Sequence, residues 1–190
     1  MIRLVIGSIL GGLAQWFVGF VFWGTPLSSI AFKVAPDAQN AAVQSALAQA
    51  LSLTGTGTYY VPWPDTPQGT VLHGRGPVAM IHFNTAGFPL MDTNALVGGL
   101  VLSIISVFLI GLILWLVADR VDDFATRAKI VLLATIATTL YFILGEPVFN
   151  PYLPWPYFIY LGLSDGIGLA LGSLIVARWF MPKSGATTAH

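Results

Sequence analysis

Four long apolar runs set the rhythm of this chain. Leu4 to Trp23 and Ala95 to Ala118 contain no charged residue, and two further runs cover about residues 128–145 and 157–180. A helix needs about 20 apolar residues to cross the ~30 Å hydrocarbon layer of a bilayer. The pattern therefore predicts an all-α membrane protein, a four-helix transmembrane bundle, with spans at about 4–23, 95–118, 128–145 and 157–180. Residues 24–94 form a cap between spans one and two, and residues 181–190 form a tail. Arg3 resembles the basic start of a signal peptide. The apolar run after it outlasts the usual ~15 residues and no small-x-small cleavage site follows, which favours a retained signal anchor.

Within the long segment the periodicity changes. PDAQNAAVQSALAQALSLTG (36–55) has Val43, Leu47, Ala50 and Leu51 at helical spacing, Asp37 at its start and Gly55 as a stop, which predicts a helix. Its polar side lacks lysine and arginine, so packing on protein is a better expectation than lying on anionic lipid. Further on, Thr70 to His73 and Val78 to Phe83 read as the strands of a β-hairpin around Gly74-Arg75-Gly76-Pro77. Pro-Trp-Pro occurs twice, around Trp63 and Trp155. Tryptophan favours the membrane–water boundary, and flanking prolines keep the backbone extended and out of a helix. Trp63 and Trp155 are thus expected to be interface anchors, with an aromatic rim over a ligand as the alternative.

Polar and small residues inside the runs are the first candidates for packing and chemistry. Ser8, Gly12, Gln15 and Gly19 share one face of span one, opposite Leu10, Leu13, Phe17 and Val21. Ala95, Gly99, Ser103 and Ser106 repeat the scheme in span two, and Thr135, Thr138 and Thr139 offer hydroxyls in span three. In span four, Asp165 shares a face with Gly168 and Gly172. Two placements are open. A helix starting near Tyr157 puts Asp165 ~12 Å along it at 1.5 Å per residue, whereas Ser164 as N-cap puts Asp165 in a first turn near the interface. Helix packing is expected at Gly12, Gln15, Gly99, Ser103, Gly168 and Gly172.

Composition narrows the chemistry. Hydrophobic residues make up 56% and charged residues 8%, against about 25% charged in soluble domains. The net charge is zero, so nothing points to nucleic acid. With no cysteine, disulfides and thiolate chemistry are excluded. Arg3, Arg120, Arg127, Lys129, Arg178 and Lys183 fall on one side of the spans, and only Lys33 and Arg75 on the other. By the positive-inside rule both termini are cytoplasmic and the cap is periplasmic, in a bacterial inner membrane. No nucleotide-binding or zinc-hydrolase motif occurs and no histidine lies in a span, so no cofactor is implied. In the expected hairpin His73 and His82 lie four positions apart, ~13 Å, too far for one metal ion. The polar residues that could converge at the outer boundary are His73, Arg75, His82, Asp92, Glu146 and Asp165. Asp165, Arg75, His73, His82 and Glu146 are the candidate catalytic groups.

FVFWG at 20–24, then an exported helix, then TYYVPWPD (58–65) and HGRGPVAMIHFN (73–84), resembles a group of bacterial four-span inner-membrane proteins. The resemblance covers about residues 1–110 and implies the same architecture; no functional residue is carried over from it. The leading expectation is an accessory, assembly or interaction subunit that packs against a larger membrane partner or lipid. The alternative is a membrane-boundary enzyme, or a small-solute or quinone-binding protein with a polar outer site.

Overall fold

The computed structural model describes residues 1–182; of the expected tail, Met181 and Pro182 pack against the bundle and residues 183–190 lie outside the described residues. The elements run α1 (Ile2–Trp23), a 3-10 turn (Pro26–Ile30), α2 (Asp37–Leu51), β1 (Gly57–Val61), α3 (Pro67–Arg75), β2 (Ala79–Phe83), α4 (Thr93–Leu116), α5 (Phe124–Phe142), α6 (Glu146–Phe149) and α7 (Trp155–Trp179). Four helical stretches are long and apolar enough to cross a membrane: α1, α4, α5 continued through α6, and α7. They agree with the four apolar runs to within a few residues. The described residues divide into two compact units, residues 1–32 with 93–182, and residues 33–92.

The first unit holds the long helices. α1 packs on α4 and α7, while α5 packs on α7. Small residues let these helices approach closely. A Cβ on Gly11 would run into the carbonyl oxygen of Gly172, and one on Gly172 into that of Gly11. Gly12 lies against Ile104, where a Cβ would come within 2.6 Å of its Cα. The apolar core gathers Leu4, Val107, Leu114, Val131, Val176, Ala177 and Met181, all near the end that carries the chain's N-terminus. The buried residues of α1 stop at Gly12, those of α4 begin at Ser103 and those of α5 stop at Thr135; only α7 is buried along most of its length. All four helices therefore pack together at the terminal end, whereas towards the other end α4 and α5 lose their buried residues and α1 and α7 stay joined.

The distribution of side chains is inverted relative to a water-soluble bundle. Ser8, Ser103, Arg127, Thr135, Ser164 and Ser173 are buried, whereas Leu10, Leu13, Phe17, Val101, Leu109, Leu133 and Leu163 are exposed. Three basic side chains tie down the closed end. Arg3 donates to Trp179 O (3.2 Å), Arg127 donates to Val121 O (2.9 Å) and Pro182 O (2.8 Å), and Arg178 lies over the Phe124 ring.

The second unit corrects one expectation. A two-stranded antiparallel sheet is present and β2 lies where the second strand was expected, but its partner is β1, with Gly57 opposite Phe83 and Val61 opposite Ala79. Thr70 to His73 belongs to α3. The helix wins because Thr66 caps it, accepting from Gly69 N at 2.9 Å, and Pro67 supplies a first-turn φ. α2 forms as expected, yet none of its residues is buried.

The Pro-Trp-Pro triplets also differ from each other. The first follows β1 and leaves Trp63 58% exposed. The second does not hold the chain out of a helix: Pro154 is extended, but Trp155 opens α7 and Pro156 sits within its first turn. Proline there has no intrahelical N–H bond to lose. Trp155 is 47% exposed.

Candidate functional site

The continuous α7 settles the two placements left open for Asp165. Ser164 is buried in mid-helix and is no N-cap. Asp165 lies ten residues after Trp155, ~15 Å along the axis at 1.5 Å per residue. Seven residues at about 100° each bring it back to within ~20° of Gly172 on the helical circumference. It thus shares the inward side of α7, opposite the exposed stripe Ile159, Leu163, Ile167 and Leu171. It differs from Gly168 and Gly172 in one respect: they are buried and Asp165 is exposed.

That exposure follows from how the bundle opens. α4 meets α7 through Val107 and Gly111, which touch Gly172 and Val176. Its first half, residues 93–102, contains no buried residue. Trp16 holds that half on α1 instead, donating from Nε1 to Leu96 O (3.0 Å) and lying beside Gly99. One turn beyond Trp16 on α1, a Cβ on Gly19 would meet nothing within 4 Å. The result is a crevice on the inward side of α1 and α7, floored by the Gly11–Gly172 crossing, with Asp165 in its wall.

Gln15 belongs to the same region. Its Cγ would be 3.3 Å from a Cβ on Gly168, three residues along α7 from Asp165. The buried Oε1 of Gln15 receives no hydrogen bond. Apart from the bond of Arg3 to Trp179 O at the closed end, the cross-helix bonds described in this unit come from aromatic side chains. Trp23 Nε1 donates to Ser164 Oγ (2.9 Å) and Tyr160 OH donates to Phe22 O (2.6 Å). Ser8, Ser106 and Thr138 donate to carbonyls one turn back in their own helices. The open ends of α1 and α7 are joined by a ring cluster in which Trp23 lies 5.1 Å from Tyr160 and 6.1 Å from Tyr157.

Glu146 stands at the start of α6, exposed, and accepts from Asn150 Nδ2 at 3.3 Å. Among the packing residues, Gly12, Ser103, Gly168 and Gly172 are buried, while Gly99 is partly covered by Trp16.

The remaining candidates belong to the second unit. His73 Nε2 is 2.8 Å from Tyr60 OH, and His82 Nδ1 is 3.0 Å from Thr58 Oγ1. Thr58 and Tyr60 are two positions apart and share one face of β1, so both imidazoles engage that face from different elements. The ~13 Å separation expected from the hairpin does not apply, since His73 is helical. Among the described residues no three histidine or carboxylate groups gather as a metal site. Arg75 is exposed at the last position of α3.

Beside the crevice, a second feature was not foreseen. Thr135, Ile136, Thr139, Leu140, Gly162 and Ile167 help line an apolar groove of about 290 Å³ between α5 and α7. Gly162 and Gly166 press against Thr139 at its floor. No known protein family, curated protein or solved structure matches this chain.

Proposed function

We propose that this is a multi-pass protein of the bacterial inner membrane, with both termini cytoplasmic and residues 24–94 periplasmic. It serves as an accessory or interaction subunit that engages a membrane partner or a lipid by helix packing. One observation carries the reading: the apolar groove between α5 and α7. Its floor is made of glycine and threonine and its rim of aliphatic side chains, the surface on which an apolar helix or acyl chain packs closely in a membrane. Among the long helices α5 packs chiefly on α7, and Leu133, Ile136 and Leu140 on its other sides stay exposed, so this edge of the assembly offers apolar surface. The inverted arrangement of buried hydroxyls and exposed aliphatics supports a lipid environment.

The test is a photo-crosslinking scan in living cells. Benzophenone side chains at Leu140 and Leu163 are expected to capture one discrete protein or phospholipid species, while the same group at Ile9 or Leu13 on α1 gives only diffuse lipid adducts. Identical adduct patterns from all four positions, with a lone monomer on mild detergent extraction, would refute the role.

A further inference from the structure

We infer that the inward crevice of the long-helix unit binds an organic ammonium ion, with the Asp165 carboxylate as counter-ion and the Gln15 amide oxygen as second acceptor. The inference is independent of the packing role, which uses the other side of α7.

Four observations lead to it. Asp165 lies about midway along α7, on the side turned away from the aliphatic stripe, and is nevertheless exposed. An ionisable group at such depth is retained at a cost and marks a functional position. The long helices supply no cation for it: their basic residues are Arg3, Arg127, Lys129 and Arg178, all at the closed end. Gln15, against Gly168 about one helical turn away, has a buried Oε1 without a donor. A buried acceptor left unmatched is costly and calls for an explanation. Finally, Gly19 leaves open space one turn further along α1.

The chemistry of the occupant follows. A carboxylate and an amide oxygen are both acceptors, so the complementary group brings N–H donors and a positive charge. A bare divalent cation is a poor match, because calcium and magnesium take six or more oxygens. Two acceptors on helices that are otherwise apolar suit an amine carried on an apolar body. Ser164, the neighbour of Asp165 in sequence, accepts from the indole of Trp23, so that indole lies next to the site and its fluorescence reports on occupancy.

The probe is benzylammonium chloride, titrated into the full chain in lipid nanodiscs by calorimetry and tryptophan fluorescence. Benzyl alcohol is the neutral control. Saturable binding of benzylammonium is expected, with benzyl alcohol at least ten-fold weaker. Asp165→Asn should weaken benzylammonium at least ten-fold and Gln15→Leu several-fold, whereas Glu146→Gln leaves it unchanged. Circular dichroism and size-exclusion profiles matching the wild type establish that the variants are folded. Should Asp165→Asn not fold, binding that is lost only above the amine's own pKa serves as the second readout. Absence of saturable binding by the folded wild type, equal affinity for the neutral control, or undiminished binding by a folded Asp165→Asn would each overturn the assignment. So would a copurifying protein whose retention needs Asp165 in a chain that binds no amine, since the carboxylate then pairs with a partner's helix.

Discussion

At Gly11 and Gly172 two helix backbones meet, and each carbonyl oxygen occupies the place where the other residue's Cβ would stand. Backbone cannot swing aside as a side chain does, so alanine at either position forces α1 and α7 apart. Gly11→Ala and Gly172→Ala should each destabilise the unit by about 1–3 kcal/mol, as overpacking does. Gly98→Ala is the contrast, because nothing lies within 4 Å of its Cβ position. There the better helix propensity of alanine should leave stability unchanged or raise it by up to ~1 kcal/mol. Reversible unfolding in detergent micelles measures all three, and equal losses at Gly98 and Gly11 would contradict the close crossing. Periodicity made Gly12, Gly168 and Gly172 legible as packing residues. It missed Gly11, because a face pattern identifies a stripe and not the point on it where two axes come closest.

At the level of elements, a capping bond starts α5 four residues before the apolar run at about 128 that marked this span. α5 begins at Asp123, whose carboxylate accepts from Thr126 N at 2.8 Å. Hydrogen bonds to Thr126 hold the Asp123 carboxyl below its ordinary value. A carboxyl depressed on folding stabilises the folded state above the unfolded-state pKa, about 3.9, and that contribution is lost as pH falls through the lower folded value. Asp123→Ala should therefore lower the melting temperature at pH 7, and the deficit should narrow as the pH approaches 3. Asp123→Ser, which also caps, should lose less. A deficit that grows on acidification would exclude this cap. α3 was misread for an instructive reason: in Thr70 to His73 strand-like and helical patterns are equally short, and the deciding capping bond lies four residues upstream, at Thr66. β1 gains its partner only through a connection that contains α3, so no short-range turn signal announced the pairing.

For the whole molecule, the proposed orientation places residues 24–94 and the α4–α5 loop on opposite sides of the membrane. The chain contains no cysteine, so single introduced thiols report without background. Thr54→Cys should react with a membrane-impermeant maleimide in intact spheroplasts, and Asp122→Cys only after permeabilisation. The reverse pattern would invert the topology. The same scale explains why the site was only half visible. Helical spacing alone placed Asp165, Gly168 and Gly172 on one side of α7. That the glycines are sealed while the carboxylate stays open depends on where α4 lies, against α7 at Val107 and against α1 at the Trp16 bond to Leu96.

Apolar runs of span length, the uneven placement of basic residues and the face each small residue occupies are properties of a helix considered alone, because hydrophobicity and the 3.6-residue repeat act locally. Where two helices touch, where they part, and whether a polar group between them is matched depend on the mutual fit of segments distant along the chain. The Gly11–Gly172 crossing, the unmatched Gln15 oxygen and the open wall at Asp165 are of that second kind, and packing alone decided them.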